Sequence, residues 1–503
     1  MADAKTPVFA DMEFEIVIGL EVHVQLQTQS KMFCSCRADY QTAPPNERVC
    51  PVCLGLPGTL PVVNRKAVEY TIMTGLALGC RIPESTKFDR KNYPYPDLMK
   101  GYQISQYDQP LALEGRLDIH TAEGDRAVGI ERVHLEEDVA KLHHHPSTDG
   151  ESYSLVDVNR SGVPLMEVVS KPDMRSAEEA REYLTTLHAI LKYLDVSTAN
   201  MQDGSFRCDA NISLRPKGSP TLGTKAEVKN MNSFRSVFMA LKFEEERQRK
   251  ILEDGGRVVQ ETRGWVEERN VTVSQRSKEQ DHDYRFFPEP DLPPLNIDPA
   301  WVEEIRGRLP ELASPRCARL MEQYGLPEYD ASLLTGSKAL ADYFESALAD
   351  GSQSSPGSPK ESLAKGVSTW MLGDLTRLLN LQNGGISQTL VTPKHLVELI
   401  ALVEAGEINN TTAKTVLEEV FNNGESPGTV VKAKGFAQIN DSSVVEAAVA
   451  EALDANPKAV EDFRNGKDTA ARFLVGQVMK ITKGQAKPDL ANRLVEEGLK
   501  ALS

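Results

Sequence analysis

No run of apolar residues in this chain is long enough to cross a bilayer as a helix, and the composition reads as that of a soluble globular protein. The stretch from Met1 to Met12 has neither the apolar core of an export signal nor the arginine- and serine-rich character of an organelle leader, so a cytoplasmic location is expected. Phosphate-binding signatures are missing too. There is no G-x-x-x-x-G-K-[S/T] loop, no dinucleotide G-x-G-x-x-G, no protein-kinase set and no G-x-S-x-G elbow. Any phosphate chemistry must therefore run through metal ions and Lys or Arg side chains. Positive charge is scarce: 57 Lys and Arg stand against 73 Asp and Glu, a net charge of −16. That argues against a bulk polyanion binder, because affinity for phosphate backbones comes from cationic patches, but it leaves room for a local basic patch on an acidic body.

Cysteine is sparse as well, 7 residues in 503, yet four of the seven cluster. Cys34 and Cys36 form a C-x-C pair, Cys50 and Cys53 a C-x-x-C pair, and a short loop with Pro44 and Pro45 joins them. Two close pairs on two short turns is the spacing of a tetrahedral thiolate zinc site, with sulfur at about 2.3 Å from the metal. Disulfides are the alternative, disfavoured in a chain with no export signal. A closed four-cysteine site is structural and staples its loop.

At 503 residues the chain has room for two to four domains. The first half is β-rich. From Phe14 to Leu26 residues alternate, with Phe14, Ile16, Ile18, Leu20, Val22, Val24 and Leu26 on one face and Glu21, His23 and Gln25 on the other. Phe206 to Leu214 repeats the pattern, with Arg207, Asp209 and Asn211 on its polar face. Thr224 to Asn230 places Lys225, Glu227 and Lys229 together, and Val128 to Leu135 and Tyr153 to Val169 read as further strands. Two helices interrupt this region. Ser176 to Leu194 opens with the capping-box pair Ser176 and Glu179, and Ser233 to Glu253 stops at Gly255 and Gly256. After the proline-rich segment Phe287 to Pro299 helical periodicity takes over, Asp350 to Ser362 reads as an exposed loop, and a last compact helical module begins near Phe436.

Glu21 and His23 stand side by side on one strand face and can share a cation. Glu136, Glu137 and Asp138 follow a strand ending in His134, while Asp209 and Glu227 lie on the polar faces of two others. A lone carboxylate on such a face is ordinarily solvated. If these strands are neighbours in one sheet, however, the ligands converge in an oxygen-rich site suited to Mg²⁺, and Mg²⁺ points to phosphoryl transfer. Asp89 to Asp97 and Asp281 to Asp291 mix charge and aromatics, as either ligand-facing loops or packed turns; Arg285 would hold phosphate or a surface partner. His143, His144 and His145 precede Pro146 and read as a solvated hairpin tip.

Several long, ordered blocks carry a resemblance: Ile18-Gly-Leu-Glu-Val-His-Val-Gln25, Pro57-Gly-Thr-Leu-Pro-Val-Val-Asn64, Lys87-Phe-Asp-Arg-Lys-Asn-Tyr93, His134-Leu-Glu-Glu-Asp138, Phe206-Arg-Cys-Asp-Ala-Asn-Ile-Ser213, Gly223-Thr-Lys-Ala-Glu-Val-Lys-Asn230 and Asp283-Tyr-Arg-Phe-Phe-Pro-Glu-Pro290. From about residue 13 to its end the chain resembles the B subunits of tRNA-dependent amidotransferases, the GatB family. The resemblance implies an α+β fold: a mostly antiparallel cradle domain over 1–300 resembling the glutamine synthetase catalytic core, a helical domain over 301–430 and a YqeY-like tail over 431–503. It implies ATP-dependent phosphorylation of the side-chain carboxylate of misacylated Glu-tRNA(Gln), and of Asp-tRNA(Asn) in many members. Ammonia would come through a channel from a GatA-like amidase, with a GatC-like small subunit completing a heterotrimer; no amidase signature occurs in this chain. The family's catalytic and Mg²⁺ positions fall on His23, Glu137, Asp209 and Glu227, with Glu21 and Glu136 beside them. Lys91 and Tyr93 match a loop on the ammonia path. Cys34, Cys36, Cys50 and Cys53 match a zinc site found in many members. Lys480, Lys483 and Lys487 lie where the family meets tRNA, a contact expected to read shape and backbone. A scaffold with a dead kinase site would lack such carboxylates, and a small-molecule ligase would not need the helical C-terminal third.

Overall fold

The computed structural model describes residues 13–146, 152–277, 284–354, 360–436, 442–464, 467, 469–482 and 486–501. It divides into two compact units, 1–312 and 313–503. The first is built on an eight-stranded sheet. In chain order the strands are β1 (Phe14–Gln25), β2 (Ala112–Thr121), β3 (Gly124–Glu137), β4 (Pro164–Ser170), β5 (Phe206–Pro216), β6 (Ala226–Met231), β7 (Glu261–Val266) and β8 (Val271–Ser277). Across the sheet they run β8-β7-β6-β5-β1-β4-β3-β2. Every neighbouring pair is antiparallel except β6 and β7.

Alternation decides what each face does. Ile18, Leu20 and Val22 of β1, Leu135 of β3, Val168 of β4 and Ile212 of β5 are buried together. They pack against Val68 and Ile72 of helix α1 (Arg65–Ala77), Leu184 and Leu187 of α2 (Ala177–Tyr193), and Val237 and Leu241 of α3 (Phe234–Glu253). Each fully buried aliphatic side chain there contributes roughly 1.5–3 kcal/mol. The opposite face keeps its polar residues. At the end of β3 sits a small three-stranded sheet of Asp89–Asn92, Tyr102–Ser105 and Phe287–Pro288.

Ser176 caps α2 by accepting the Glu179 N–H at 3.0 Å, and the Glu179 carboxylate reaches back to the Arg175 N–H at 2.7 Å. The strand expected over Tyr153 to Val169 is divided. Tyr153–Asp157 pairs with Lys141–His145 in an exposed hairpin that carries the three histidines. A single helical turn, Val158–Arg160, then separates it from β4. The Asp157 carboxylate takes the Asn159 N–H, and Gly162 turns the chain at φ +82°.

The second unit is helical from Ala313–Tyr324 to Pro488–Ala501. One apolar cluster draws on residues from Leu320 to Val431 and another on residues from Val445 to Leu499. The loop expected over Asp350 to Ser362 is shorter than its composition suggests: the helix Lys338–Ser354 runs into it and Lys360–Trp370 begins within it. No helix among the described residues is long and apolar enough to cross a membrane.

The Ser176 cap fixes the start of the central covering helix. Ser176→Ala is expected to lower the stability of the first unit by about 1 kcal/mol in urea unfolding; an unchanged midpoint would show that the cap contributes nothing.

Candidate active site

Register brings the polar residues together. Across the β1–β5 pair Glu21 stands opposite Asp209, and His23 opposite Arg207. On the other side of β1, His23 faces Glu167 of β4, which faces His134 of β3. On β6 Glu227 stands opposite Asn211. Residues directly opposite on antiparallel strands share a face. Glu21, His23, Glu136, Glu167, Asp209 and Glu227 therefore come from five adjacent strands to the face that the helices leave bare. Of these, His23, Glu136 and Asp209 line an open cavity of about 350 Å³, together with Lys91, Tyr93, Arg207 and Lys229 among others.

The tightest group is a triangle. His23 Nε2 lies 3.4 Å from Glu167 Oε2 and 3.7 Å from Glu136 Oε1, and His134 Nε2 lies 3.2 Å from Glu167 Oε2. One ligand atom each from His23, Glu136 and Glu167 fall within 4.8 Å of one another. Burial alone would push the His23 imidazole down, but the carboxylates of Glu167, Glu136 and Asp209 outweigh it and raise it to about 9. Glu167 is buried, which favours its neutral form, yet the two imidazoles hold it well below the usual carboxylate range. Glu21 is pushed up by burial and by the charge of Glu167. The face therefore carries more negative charge than its own cations settle, the condition under which a divalent ion binds and displaces protons. Two buried carboxylates and one imidazole, with further carboxylates beside them, suit Mg²⁺ that also keeps phosphate and water ligands.

Asp209 and Glu227 form a second anionic pair. Lys229 Nζ lies 2.7 Å from Asp209 Oδ2 and 3.0 Å from Glu227 Oε1. Thr262 on β7 donates its hydroxyl to Glu227 Oε2 at 2.8 Å, and Asn211 donates to Glu21 at 2.9 Å. Lys91 faces the cavity over the Tyr284 ring at 4.8 Å; burial lowers its affinity for a proton, but Glu136 and Glu167 reverse this. Tyr93 packs edge-on against Tyr284 at 5.7 Å, its hydroxyl raised by burial.

Glu137 is not brought to this cluster. Adjacent residues on a strand point to opposite faces, so Glu136 joins the polar face while Glu137 follows Val133 and Leu135. Its Oε1 accepts from Lys100 Nζ at 2.5 Å and from the Ile104 N–H at 3.0 Å, on a cavity of about 200 Å³ beside Cys34 and Cys53. Arg285 is exposed, at φ +41°. Lys480 is exposed on the helix Thr469–Ile481, and Lys487 precedes the last helix; Lys483 lies outside the described residues. Glu167 is the residue that sequence reasoning missed, while Lys229, placed beside Glu227 by alternation, carries no role in the sequence reading. Glu167 had a signal, being the lone charge in the otherwise apolar run Pro164 to Ser170.

The four thiols meet as the spacing suggests. Their sulfurs lie within 4.8 Å of one another, with Cys50 and Cys53 at 3.9 Å, and no disulfide forms. A tetrahedral site with bonds of about 2.3 Å sets sulfurs about 3.8 Å apart. Lys31 adds an independent sign. It is fully buried, its ammonium donates to the Arg48 carbonyl at 2.7 Å, and among the described residues no carboxylate pairs with it. A buried ammonium needs a negative neighbour, and a four-thiolate zinc centre carries two negative charges. Gly162 packs between the Lys31 and Cys53 side chains. Cys53 is drawn down to about 4, chiefly by the hydrogen bond from Cys34 and against burial, with Lys31 assisting. The same loop is tied to the turn before β4, where the Arg48 N–H donates to Asn159 at 2.7 Å.

A charged sheet face that opens on a cavity has the ligand atoms to hold a cation. The comparisons give its family. Residues 16–303 match the GatB/GatE catalytic domain, and residues 342–499 match the GatB domain. The chain is 56% identical to the B subunit of the aspartyl/glutamyl-tRNA(Asn/Gln) amidotransferase of Dehalococcoides mccartyi over 97% of its own length and 99% of that protein's. It is 55% identical to the protein of that name from Moorella thermoacetica, over 97% of this chain and 100% of the other, and 53% identical to that of Thermomicrobium roseum, over 97% and 99%. The chain belongs to the family of amidotransferase B subunits, with the α+β fold expected of it.

Lys31→Met is expected to speed zinc release to a colorimetric chelator by about tenfold; unchanged release would mean that the ammonium does not serve the thiolates. Asp138 gives a pH test. Burial disfavours its charged form, but Arg207 at 3.0 Å and Arg160 at 3.6 Å hold it below its ordinary value. A depressed carboxylate stabilises the fold above its unfolded pKa of about 3.9 and loses that contribution as pH falls through the folded value. Asp138→Asn should cost about 2 kcal/mol at neutral pH, part of the cost being screened at Arg207, whose side chain is about a third exposed. It should also flatten the stability loss below pH about 4; an acid limb identical to wild type would contradict the assignment.

Proposed function

We propose that this chain activates the side-chain carboxylate of a misacylated aminoacyl-tRNA with ATP and presents the acyl phosphate to ammonia. The observation that carries the reading is the convergence of Glu21, Glu136, Glu167, Asp209 and Glu227 with His23 on one sheet face. The relatives are named for aspartyl/glutamyl-tRNA(Asn/Gln), which supports Glu-tRNA(Gln) and Asp-tRNA(Asn) as the substrates.

Activation needs a carboxylate oxygen of the substrate to attack the γ-phosphorus while the β,γ-bridging oxygen leaves with its electron pair as ADP. Ammonia then attacks the acyl carbon, phosphate leaves with the bond electrons, and the nitrogen loses a proton to give the amide. His23, Glu136 and Glu167 would hold Mg²⁺, which supplies charge neutralisation at the phosphates. Lys91 stands on the cavity wall to meet the incoming anion, and Tyr93 narrows the mouth beside it. Arg285, on the exposed loop, would reach for phosphate. Glutamine hydrolysis falls to a GatA-like amidase, steadied by a GatC-like subunit, and the complex would work in the cytoplasm. The zinc loop would hold the turn that feeds β4 rather than take part in chemistry. The division into cradle, helical and tail domains is retained in this reading, with Lys480, Lys483 and Lys487 of the tail assigned to tRNA.

The test is single-turnover transfer of phosphate from ATP to Glu-tRNA(Gln) by the assembled complex, with glutamine withheld. Glu167→Gln and Asp209→Asn should each slow transfer by about 100-fold or more while tRNA binding persists. Glu137→Gln, whose carboxylate faces away, should keep transfer. Normal transfer in Glu167→Gln and Asp209→Asn would place the activation chemistry elsewhere.

A further inference from the structure

The sheet face holds two anionic nests of different kind. The nest formed by His23, Glu136 and Glu167 is edged by imidazoles and the Ser105 hydroxyl, with no ammonium or guanidinium in contact among the described residues. The nest formed by Asp209 and Glu227 already contains a cation, the Lys229 ammonium, within 3.0 Å of a carboxylate oxygen on each. Both border the face of one cavity. Glu227 also accepts a hydrogen bond from the Thr262 hydroxyl of the adjacent strand at 2.8 Å, a partner independent of the lysine.

Lys229 rises from the same strand as Glu227, two residues on, and its side chain is about a third exposed. A flexible four-carbon stem lets an ammonium leave one partner for another without moving the backbone. Phosphoryl-transfer sites commonly use two cations a few ångströms apart, one toward the attacking oxygen and one toward the leaving oxygen. Here the second place is taken by a side chain.

We propose that Lys229 is a resident cation of the Asp209–Glu227 pair that yields the pair to a nucleotide-borne divalent ion and carries its ammonium to the transferred phosphoryl group. This inference rests on the activation reading above. The exchange makes and breaks no covalent bond and moves no proton. It keeps the carboxylates from repelling each other in the empty site, ties occupancy of the second place to nucleotide, and delivers a positive charge to the oxygens of the transferred group as the ion arrives.

The experiment uses the assembled complex and Mn²⁺ as the probe, with unbound Mn²⁺ read by electron paramagnetic resonance. Without nucleotide, wild type should hold one Mn²⁺, and with a non-hydrolysable ATP analogue, two. Lys229→Met should hold two without nucleotide. Lys229→Arg, which keeps the charge, should hold one, and it guards against a folding defect in the first variant. Single-turnover transfer should fall about 100-fold in Lys229→Met and less in Lys229→Arg. A Lys229→Met titration identical to wild type, or a Lys229→Arg titration with the extra ion, overturns the inference. The two readings separate cleanly. Normal transfer in wild type with no gain of Mn²⁺ in Lys229→Met overturns the lysine inference alone. The gain of Mn²⁺ without any wild-type transfer overturns the activation reading and upholds Lys229 as the resident cation.

Discussion

Everything in the first unit follows from the two-residue period of antiparallel strands in register. Three helices cover one face of the sheet, and every apolar side chain that alternation sends there is spent on the core. The other face receives what remains. Because β3, β4, β1, β5 and β6 are neighbours, what remains is a band of carboxylates and imidazoles crossing five strands. Burying so much like charge is unfavourable unless cations answer it. The protein answers in part with imidazolium, with Lys229 and with Lys91. A shift of one residue in the pairing of β1 would send Glu21 and His23 into the core and destroy fold and site together.

The same electrostatic logic recurs at the four-cysteine loop with the signs exchanged. There the buried group in need of a partner is an ammonium, Lys31, and the answer is a cluster of thiolates. The loop is tied to the turn at Val158–Arg160, which leads into the strand carrying Glu167. The four-cysteine loop and the carboxylate face are therefore linked through a few residues of backbone, without either lending a side chain to the other.

Much of this was legible in the sequence because alternation and capping are local. The polar faces of Glu21 with His23 and of Asp209 with Asn211, the start of α2 at Ser176 and the four-cysteine spacing needed only neighbours along the chain. What could not be read is what depends on strand order. The partnership of His23 with Glu167 joins residues far apart in sequence that only the β1–β4 pairing brings together. Glu136 and Glu137 are adjacent in sequence, and only knowledge of which face β3 turns to the helices tells that one joins the cluster and the other meets Lys100. Tyr153 to Val169 looked continuous because its apolar pattern survives the turn at Gly162.

The central claim is that the substrate's carboxylate is phosphorylated on this face before ammonia arrives. The most direct measurement follows oxygen. Glu-tRNA(Gln) carrying oxygen-18 in the glutamyl side-chain carboxylate is converted in a single turnover by the complete complex with ATP and glutamine, and the phosphate released is weighed by mass spectrometry. The account predicts one labelled oxygen in each phosphate, carried out of the carboxylate when ammonia displaces it. Unlabelled phosphate, with amide formed normally, would contradict it.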